Sequence, residues 1–438
     1  GEYLALVAPD GVTVIHDYAP EYPPQSQDRS FGLDGATLSF FNNPTPGSAN
    51  STGTPAGPVI GDATRDPAQP VAGLLTIVAH VRALQTPVAS VTMFYRHMFL
   101  GEVSLNMADN GIAPDVTAGD GIYSASIPAS AVLPSKMVRW RFVATDSLGR
   151  TTLDPPFPDP TNSPKYWGTV GSDPGIETNL TTLHWFMENP ALADNTYPSG
   201  NPGAPAALYY LGQFYDNVGF KRHGQSTGGF PKKSYNIDFN KDHHFRWDAS
   251  QPRVADIDLL TNWADKSKVR HALAYEVMRE SGVHAHFAYT ARVHQNGEFF
   301  SIADFVEDAD ETYLERAGLN KNGALYKAYD TTLNKDAGDT AFTGLEKKTR
   351  KDEASRAELQ ALIDGLDLTG TALTRYQFDN LDLPKIINML AANVVTRNTD
   401  MHRKNWYLYQ DTGKSGEWAI LPWDLDLSQG RVWNTTNT

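Results

Sequence analysis

Thr399-Asp400-Met401-His402-Arg403-Lys404-Asn405, then Trp406-Tyr407-Leu408-Tyr409, and then Trp418-Ala419-Ile420-Leu421-Pro422-Trp423-Asp424-Leu425-Asp426 form the stretch that decides the fold. The two aromatic-rich runs flank Asp411-Thr412-Gly413 and predict a hairpin. Upstream, Pro384 opens a helix whose inner face reads as Ile386, Ile387, Leu390, Val394 and Val395. A long amphipathic helix feeding a polar turn and then a hairpin is an arrangement that can hold a catalytic loop. Asp400 and Asn405 precede the hairpin, and Asp424 and Asp426 follow it. Hard cations such as Mg²⁺ take oxygen ligands of this kind and share them with substrate phosphates. The plainer reading has Asp400 capping a turn and Asp424 ending a strand.

The spacing of five between Asp400 and Asn405 is that of the catalytic-loop Asp and Asn of protein kinases. A second cluster lies upstream, Arg222-His223-Gly224-Gln225-Ser226-Thr227-Gly228-Gly229-Phe230-Pro231-Lys232-Lys233-Ser234-Tyr235. Small residues let a backbone approach a phosphate, and a lysine on the following strand neutralises it. Lys233 alternates with Tyr235, Ile237 and Phe239 and so shares their face, while Lys232 points the other way. A glycine turn with two solvated lysines explains the same residues. No Ser or Thr follows a Gly-Lys pair and no helix follows the loop, so it is not a Walker loop. A third element is the helix over 266–281, with Val269, Leu273 and Val277 on one face. Its Glu276 or Glu280 offers a carboxylate to orient a strand lysine, although both also read as solvated charges. The histidines are scattered, with no HExxH pattern, and no G-x-S-x-G elbow exists.

The N-terminal half has a different texture. Residues 2–7 and 11–18 read as strands around Pro9-Asp10-Gly11. The stretch 43–70 shows no apolar period and reads as linker. From 71 to 170, strand-length runs separated by Gly, Asp and Pro turns predict a β-sandwich. After about 175 the pattern turns to mixed α+β. The fold class expected is therefore multidomain: a sandwich followed by an α+β domain.

The 438 residues carry 51 acids and 37 bases, a formal net charge of −14. Up to residue 174 there are 16 acids against 9 bases, and beyond it 35 against 28, so each part carries −7. Neither is a basic patch, and no nucleic-acid partner is expected. No stretch approaches the roughly 18 apolar residues of a membrane span. The chain has no cysteine, which removes disulfides, thiolate zinc sites and a thiol nucleophile, and fits an exported bacterial protein. It begins Gly-Glu rather than Met and reads as a fragment whose signal peptide lies outside it.

Over 205–438 the chain resembles the CotH kinase family, the spore-coat-type atypical protein kinases. The resemblance rests on segments in the family's order: Gly224-Gln225-Ser226-Thr227 with Phe230 to Tyr235; Leu259 to Ser267 leading to Arg270-His271-Ala272-Leu273-Ala274; Phe305-Val306-Glu307-Asp308; Leu325-Tyr326-Lys327-Ala328; Asp400 to Asn405 with Trp406 to Tyr409; and Ile420 to Asp426 with Gly430. It implies a kinase-like domain over 175–438 that moves the γ-phosphate of ATP to Ser or Thr of a protein substrate, with Mg²⁺. Carried onto this chain, Lys233, or less favourably Lys232, holds the nucleotide phosphates with Gly224, Ser226 and Thr227, and Glu276 pairs with the lysine. Asp400 is the catalytic carboxylate. Asn405 and Asp424 are metal ligands, with Asp426 in reserve. The family usually continues past Gly430, so the domain is expected to be truncated at its C-terminus. Residues 1–50 resemble the end of a lamin-tail-type β domain, 51–70 remain a linker, and 71–170 resemble the Ig-like modules of secreted bacterial proteins. Asp109, Asp115 and Asp120 there read either as a Ca²⁺ site or as a turn-rich loop.

The expected location is extracellular or at the bacterial cell surface, with a surface or matrix partner for the N-terminal β modules. The competing reading is a kinase-fold binding or adhesion protein without catalysis. A metal-dependent phosphohydrolase using the same carboxylates would need two metals about 4 Å apart and more ligands than the sequence assigns.

Overall fold

The computed structural model describes residues 2–19, 21–25, 29–71, 73–196, 202–224 and 226–430. The architecture is multidomain and rich in β-structure. Near the N-terminus, Ala5–Val7 pairs with Val14–Asp17, and Ser30–Asp34, Thr37–Phe41 and Thr54–Pro55 form a three-stranded sheet. The next strand corrects the linker reading of 51–70: Val59–Asp66 pairs antiparallel with Leu75–Arg82. Val59 and Ile60 are buried, but most of the residues after them face solvent. The strand is held by its backbone ladder, which leaves no apolar alternation to read.

Val59–Asp66, Leu75–Arg82 and Ile122–Ile127 make one sheet. Thr151–Asp154, Met137–Asp146, Val88–His97 and Val103–Asn106 make another, with Trp167–Val170 also paired to Met137–Asp146. Alternate residues from both sheets (Leu75, Ile77, Ala79, Met93, Ile127, Trp140, Phe142) fill the space between them, as period-two patterning requires.

The C-terminal half opens with a closed barrel in the order Thr182–Phe186, Ala204–Tyr210, Gln213–His223, Ser234–Asp238, Asp256–Leu260, Glu298–Glu307 and Ala288–Gln295. Closure comes from parallel pairing of the first strand with the last. Inward aromatics pack the interior: Trp185, Tyr215, Phe220, Tyr235, Phe245 and Phe305, joined by Ile237 and Ile257. A barrel of this size is filled by its own side chains.

Below it, a four-stranded sheet runs Leu345–Lys347, Ala324–Ala328, Trp406–Gln410 and Trp418–Pro422. Helices Arg270–Glu280, Ala357–Leu366, Gly370–Asn380 and Leu383–Thr396 complete this part. One core joins barrel, helix and sheet, through Leu260, Ala288 and Val306 from the barrel, Ala274, Tyr275 and Met278 from the first helix, and Leu325, Tyr407 and Leu421 from the sheet.

Two helix faces differ from the expected ones. Helix Leu383–Thr396 buries Met389, Ala392, Asn393 and Thr396, whereas Ile387, Leu390, Val394 and Val395 are exposed. Helix Arg270–Glu280 buries His271, Ala274, Tyr275 and Met278 and leaves Leu273 exposed, as Val269 is at its start. In the longer helix the buried polar groups satisfy themselves: Asn393 Nδ2 donates to Met389 O at 3.1 Å and Thr396 Oγ1 to Ala392 O at 2.9 Å. Hydrophobic period finds a stripe, but it does not say which stripe meets the core.

Candidate active site

The acidic residues meet where the turn after helix Leu383–Thr396 lies against the segment leaving the hairpin. That helix ends on Arg397 in the left-handed region, φ 49°. The later segment caps its last carbonyl, with Gln429 N–H donating to Thr396 O at 2.6 Å, and in turn accepts from the turn, with Thr399 N–H donating to Leu427 O at 3.2 Å. Within the turn, Asn405 Nδ2 donates to Asp400 Oδ2 at 2.8 Å, and Lys404 Nζ lies 3.3 Å from the same oxygen. Trp423 N–H donates to Asn405 O at 3.1 Å, and Asp424 N–H reaches Tyr275 Oη at 3.2 Å. Asn405 and Asp424 both have positive φ, 65° and 51°, the left-handed region that Asn and Asp enter more readily than other non-glycine residues.

Asp426 is half-buried, and its carboxyl is pushed well above the usual range, by desolvation first and then by Asp424, Asp400 and Asp265. Crowded carboxylates of this kind suit a divalent cation, which relieves their repulsion. Asn405 is buried, with its side-chain nitrogen committed to Asp400 and its side-chain oxygen accepting no hydrogen bond among the described residues. The residues present therefore fit Mg²⁺. His271, on the helix above, is fully buried with neither ring nitrogen hydrogen-bonded among the described residues. Its nearest carboxylate is Asp304, at 3.6 Å, and burial holds the imidazole below its ordinary pKa.

The expected phosphate-side residues are placed differently from the sequence reading. Gly224 has φ 87° and Ser226–Gly229 make one 3₁₀ turn. Gln225 and the side chains of Ser226 and Thr227 lie outside the described residues. Lys233 Nζ turns back to Phe230 O at 2.6 Å, and Lys232 Nζ bonds Phe300 O beside the Phe300 ring. Neither forms an ion pair among the described residues, so the expected Glu276 pairing is not made. Glu276 and Glu280 lie on the exposed side of their helix, because packing turns His271 and Tyr275 inward instead.

A cationic group that the sequence reading did not single out sits nearby. His223, at the end of its barrel strand, holds Asp258 at 2.9 Å. Burial opposes its charge, but Asp258 outweighs burial and raises its pKa. Lys348 pairs with Asp308 at 3.6 Å. Burial pushes Asp308 up, yet Lys348 and Lys327 hold it at about 2. Lys327 projects its ammonium over the Trp423 ring at 4.4 Å. These residues come from separate segments, and no local spacing marks them.

Away from this site, Asp109, Asp115 and Asp120 have oxygens within 4.8 Å of one another. Those oxygens already accept loop N–H groups, including Asn110 and Gly111 on Asp115 and Gly119 and Gly121 on Asp109.

Fold and site together define a multidomain β-rich protein with a cluster of carboxylates where a barrel and a small sheet share one core. Residues 220–438, half of the chain, match the CotH kinase protein family, and the chain belongs to it. The inner spore coat protein H of Bacillus subtilis (strain 168) is 29% identical over 264 residues, spanning 58% of this chain and 70% of that protein. Among the described residues no helix is long and apolar enough to cross a membrane.

Proposed function

We propose that the C-terminal half is an atypical Ser/Thr protein kinase that transfers the γ-phosphate of ATP to hydroxyls of secreted or surface proteins, with Mg²⁺. The observation that carries this reading is the joining of Asp400 to Asn405 beside the crowded Asp424 and Asp426. Asp400 accepts the proton of the attacking hydroxyl, whose oxygen bonds the γ-phosphorus as the bond to ADP breaks. Asn405, Asp424 and Asp426 would hold Mg²⁺, which when bound would neutralise charge on the phosphates. Tyr275 fixes the backbone of Asp424, and the hairpin fixes both acidic segments to one sheet edge. The loop lysines enter this reading only on release: Lys233 must leave Phe230 O, or Lys232 must leave Phe300 O, to meet a phosphate. The kinship with an inner spore coat protein supports an extracellular or surface location, and the N-terminal β modules are proposed to engage a surface or matrix partner.

Incubation with γ-labelled ATP, Mg²⁺ and a Ser/Thr-containing acceptor protein tests the proposal. Label should appear on the acceptor or on the chain itself as phosphoserine or phosphothreonine. Incorporation no greater than that of Asp424→Asn would replace it with the binding-protein reading.

A further inference from the structure

We propose that Lys327 is the residue that receives the nucleotide phosphates at this site; the inference rests on the kinase reading given above. Lys327 lies in strand Ala324–Ala328, paired with Tyr407 on one side and Glu346 on the other. Alternation puts it on the face of Leu325, which packs into the core shared with the barrel and helix Arg270–Glu280. It therefore points to the side of the sheet that carries Trp423 and away from the opposite face, where Tyr326 and Ala328 pack.

Its ammonium is held by rings rather than by a direct partner. Trp423 lies 4.4 Å away, Tyr329 5.4 Å and Tyr407 5.9 Å. Among the described residues it makes no hydrogen bond and no ion pair, although Asp308 and Asp258 both act on it. Lys348 is already paired with Asp308, which leaves Lys327 as the available charge. Largely desolvated ammonium groups ordinarily find an anion.

The ring beneath that ammonium is the residue that ties the acidic segments together. Trp423 donates its N–H to Asn405 O at 3.1 Å and directly precedes Asp424. A phosphate chain bridging a cation on Asn405 and Asp424 would thus lie beside Lys327. His223, fixed by Asp258 at 2.9 Å and within the fields of both Lys327 and Asp424, adds a second cationic group on this side of the site. The two lysines expected from the loop are instead occupied by backbone carbonyls.

The test compares Mg·ATP and adenosine affinities by calorimetry in the full chain, for wild type, Lys327→Met and Lys327→Arg. Lys327→Met should weaken Mg·ATP by ~10–100-fold, the usual loss for one charged hydrogen bond, and leave adenosine affinity within about twofold. Lys327→Arg, which keeps the charge, should recover part of the loss and also controls for folding. Equal losses for ATP and adenosine in Lys327→Met would make Lys327 a structural support of the site and overturn the inference alone. Unchanged Mg·ATP affinity in Lys327→Met would overturn it in the same way. A wild-type chain that binds no Mg·ATP would remove the kinase reading and this inference together.

Discussion

The side-chain amide of Asn405 donates to Asp400 Oδ2 at 2.8 Å. The two residues are five apart in sequence, and the turn between them is pinned elsewhere: Trp406 Nε1 donates to His402 O at 3.2 Å, and Thr331 N–H to Arg403 O at 2.8 Å. In the proposed reaction this bond divides the chemistry: the second oxygen of Asp400 would take the substrate proton, and the side-chain oxygen of Asn405 would meet the cation. The positive φ of Asn405, 65°, is held by that turn and by the Trp423 N–H on its carbonyl.

Nucleotide binding should depend on a divalent cation. Asp424 and Asp426 crowd together with Asp400 and Asp265, and a bare triphosphate brought to this side would meet like charge. Calorimetry with excess EDTA should show ATP affinity at least about tenfold weaker than with Mg²⁺, a difference of about 1.4 kcal/mol. Equal affinity in both conditions would place the phosphates away from these carboxylates.

The orientation of helix Leu383–Thr396 makes a stability prediction opposite to the one that periodicity gives. Met389 is fully buried, whereas Val394 and Val395 are 77% and 75% exposed. Met389→Ala should cost about 2–5 kcal/mol through lost contacts and a cavity. The double change of Val394→Ser and Val395→Ser should stay near 0.5 kcal/mol, roughly the range of surface substitutions. Denaturant unfolding of both variants checks it, and a larger loss from the valine pair would mean that this face is covered.

Parts of the site were legible because their residues are close in sequence. Asp400 with Asn405, and Asp424 with Asp426, each sit on one turn, and the hairpin between them is marked by its aromatic runs. Lys327, His223, Asp258 and His271 come from four separate elements, and no periodicity connects them before the barrel closes. That closure is itself non-local, since Thr182–Phe186 pairs in parallel with Ala288–Gln295 about a hundred residues later. The strand 59–66 escaped notice for a different reason, because an edge strand with few buried side chains has only its backbone to announce it. The loop lysines were placed by alternation along a strand that begins at Ser234, so it had no hold on side chains in the loop before it.

Asp154 gives the N-terminal region a pH dependence. Burial raises its pKa from 3.8 to about 6, opposed by the hydrogen bond from Trp167 Nε1 at 2.8 Å. A folded-state pKa above the unfolded value means stability fully present below about pH 4 and lost as pH rises through about 6. A shift of two units corresponds to about 3 kcal/mol. Asp154→Asn keeps an oxygen for Trp167 and removes the charge, so it should be the more stable chain at pH 7 and differ little at pH 4. Unfolding midpoints at the two pH values check this; a variant less stable at pH 7 would mean that the ionised carboxylate is compensated.

Asp400 and Asp424 should fail in different ways. Asp400 is bonded to Asn405 and Lys404 on one oxygen, and in the proposed reaction its task is the proton of the attacking hydroxyl. Asp400→Asn should therefore leave Mg·ATP affinity nearly intact while turnover falls by roughly a hundredfold or more, the usual loss when a general base is removed. Asp424 follows Trp423, shares its crowding with Asp426 and is fixed by Tyr275. Its proposed task is to hold the cation against the phosphates, so Asp424→Asn should weaken Mg-dependent ATP binding as well as turnover. Calorimetry and single-turnover transfer measured on the same two variants separate the roles. If Asp400→Asn loses Mg·ATP affinity as severely as Asp424→Asn, Asp400 is a cation ligand and the proton must go elsewhere. If neither variant changes binding or transfer, the carboxylates serve the fold, and the domain acts as a binding module.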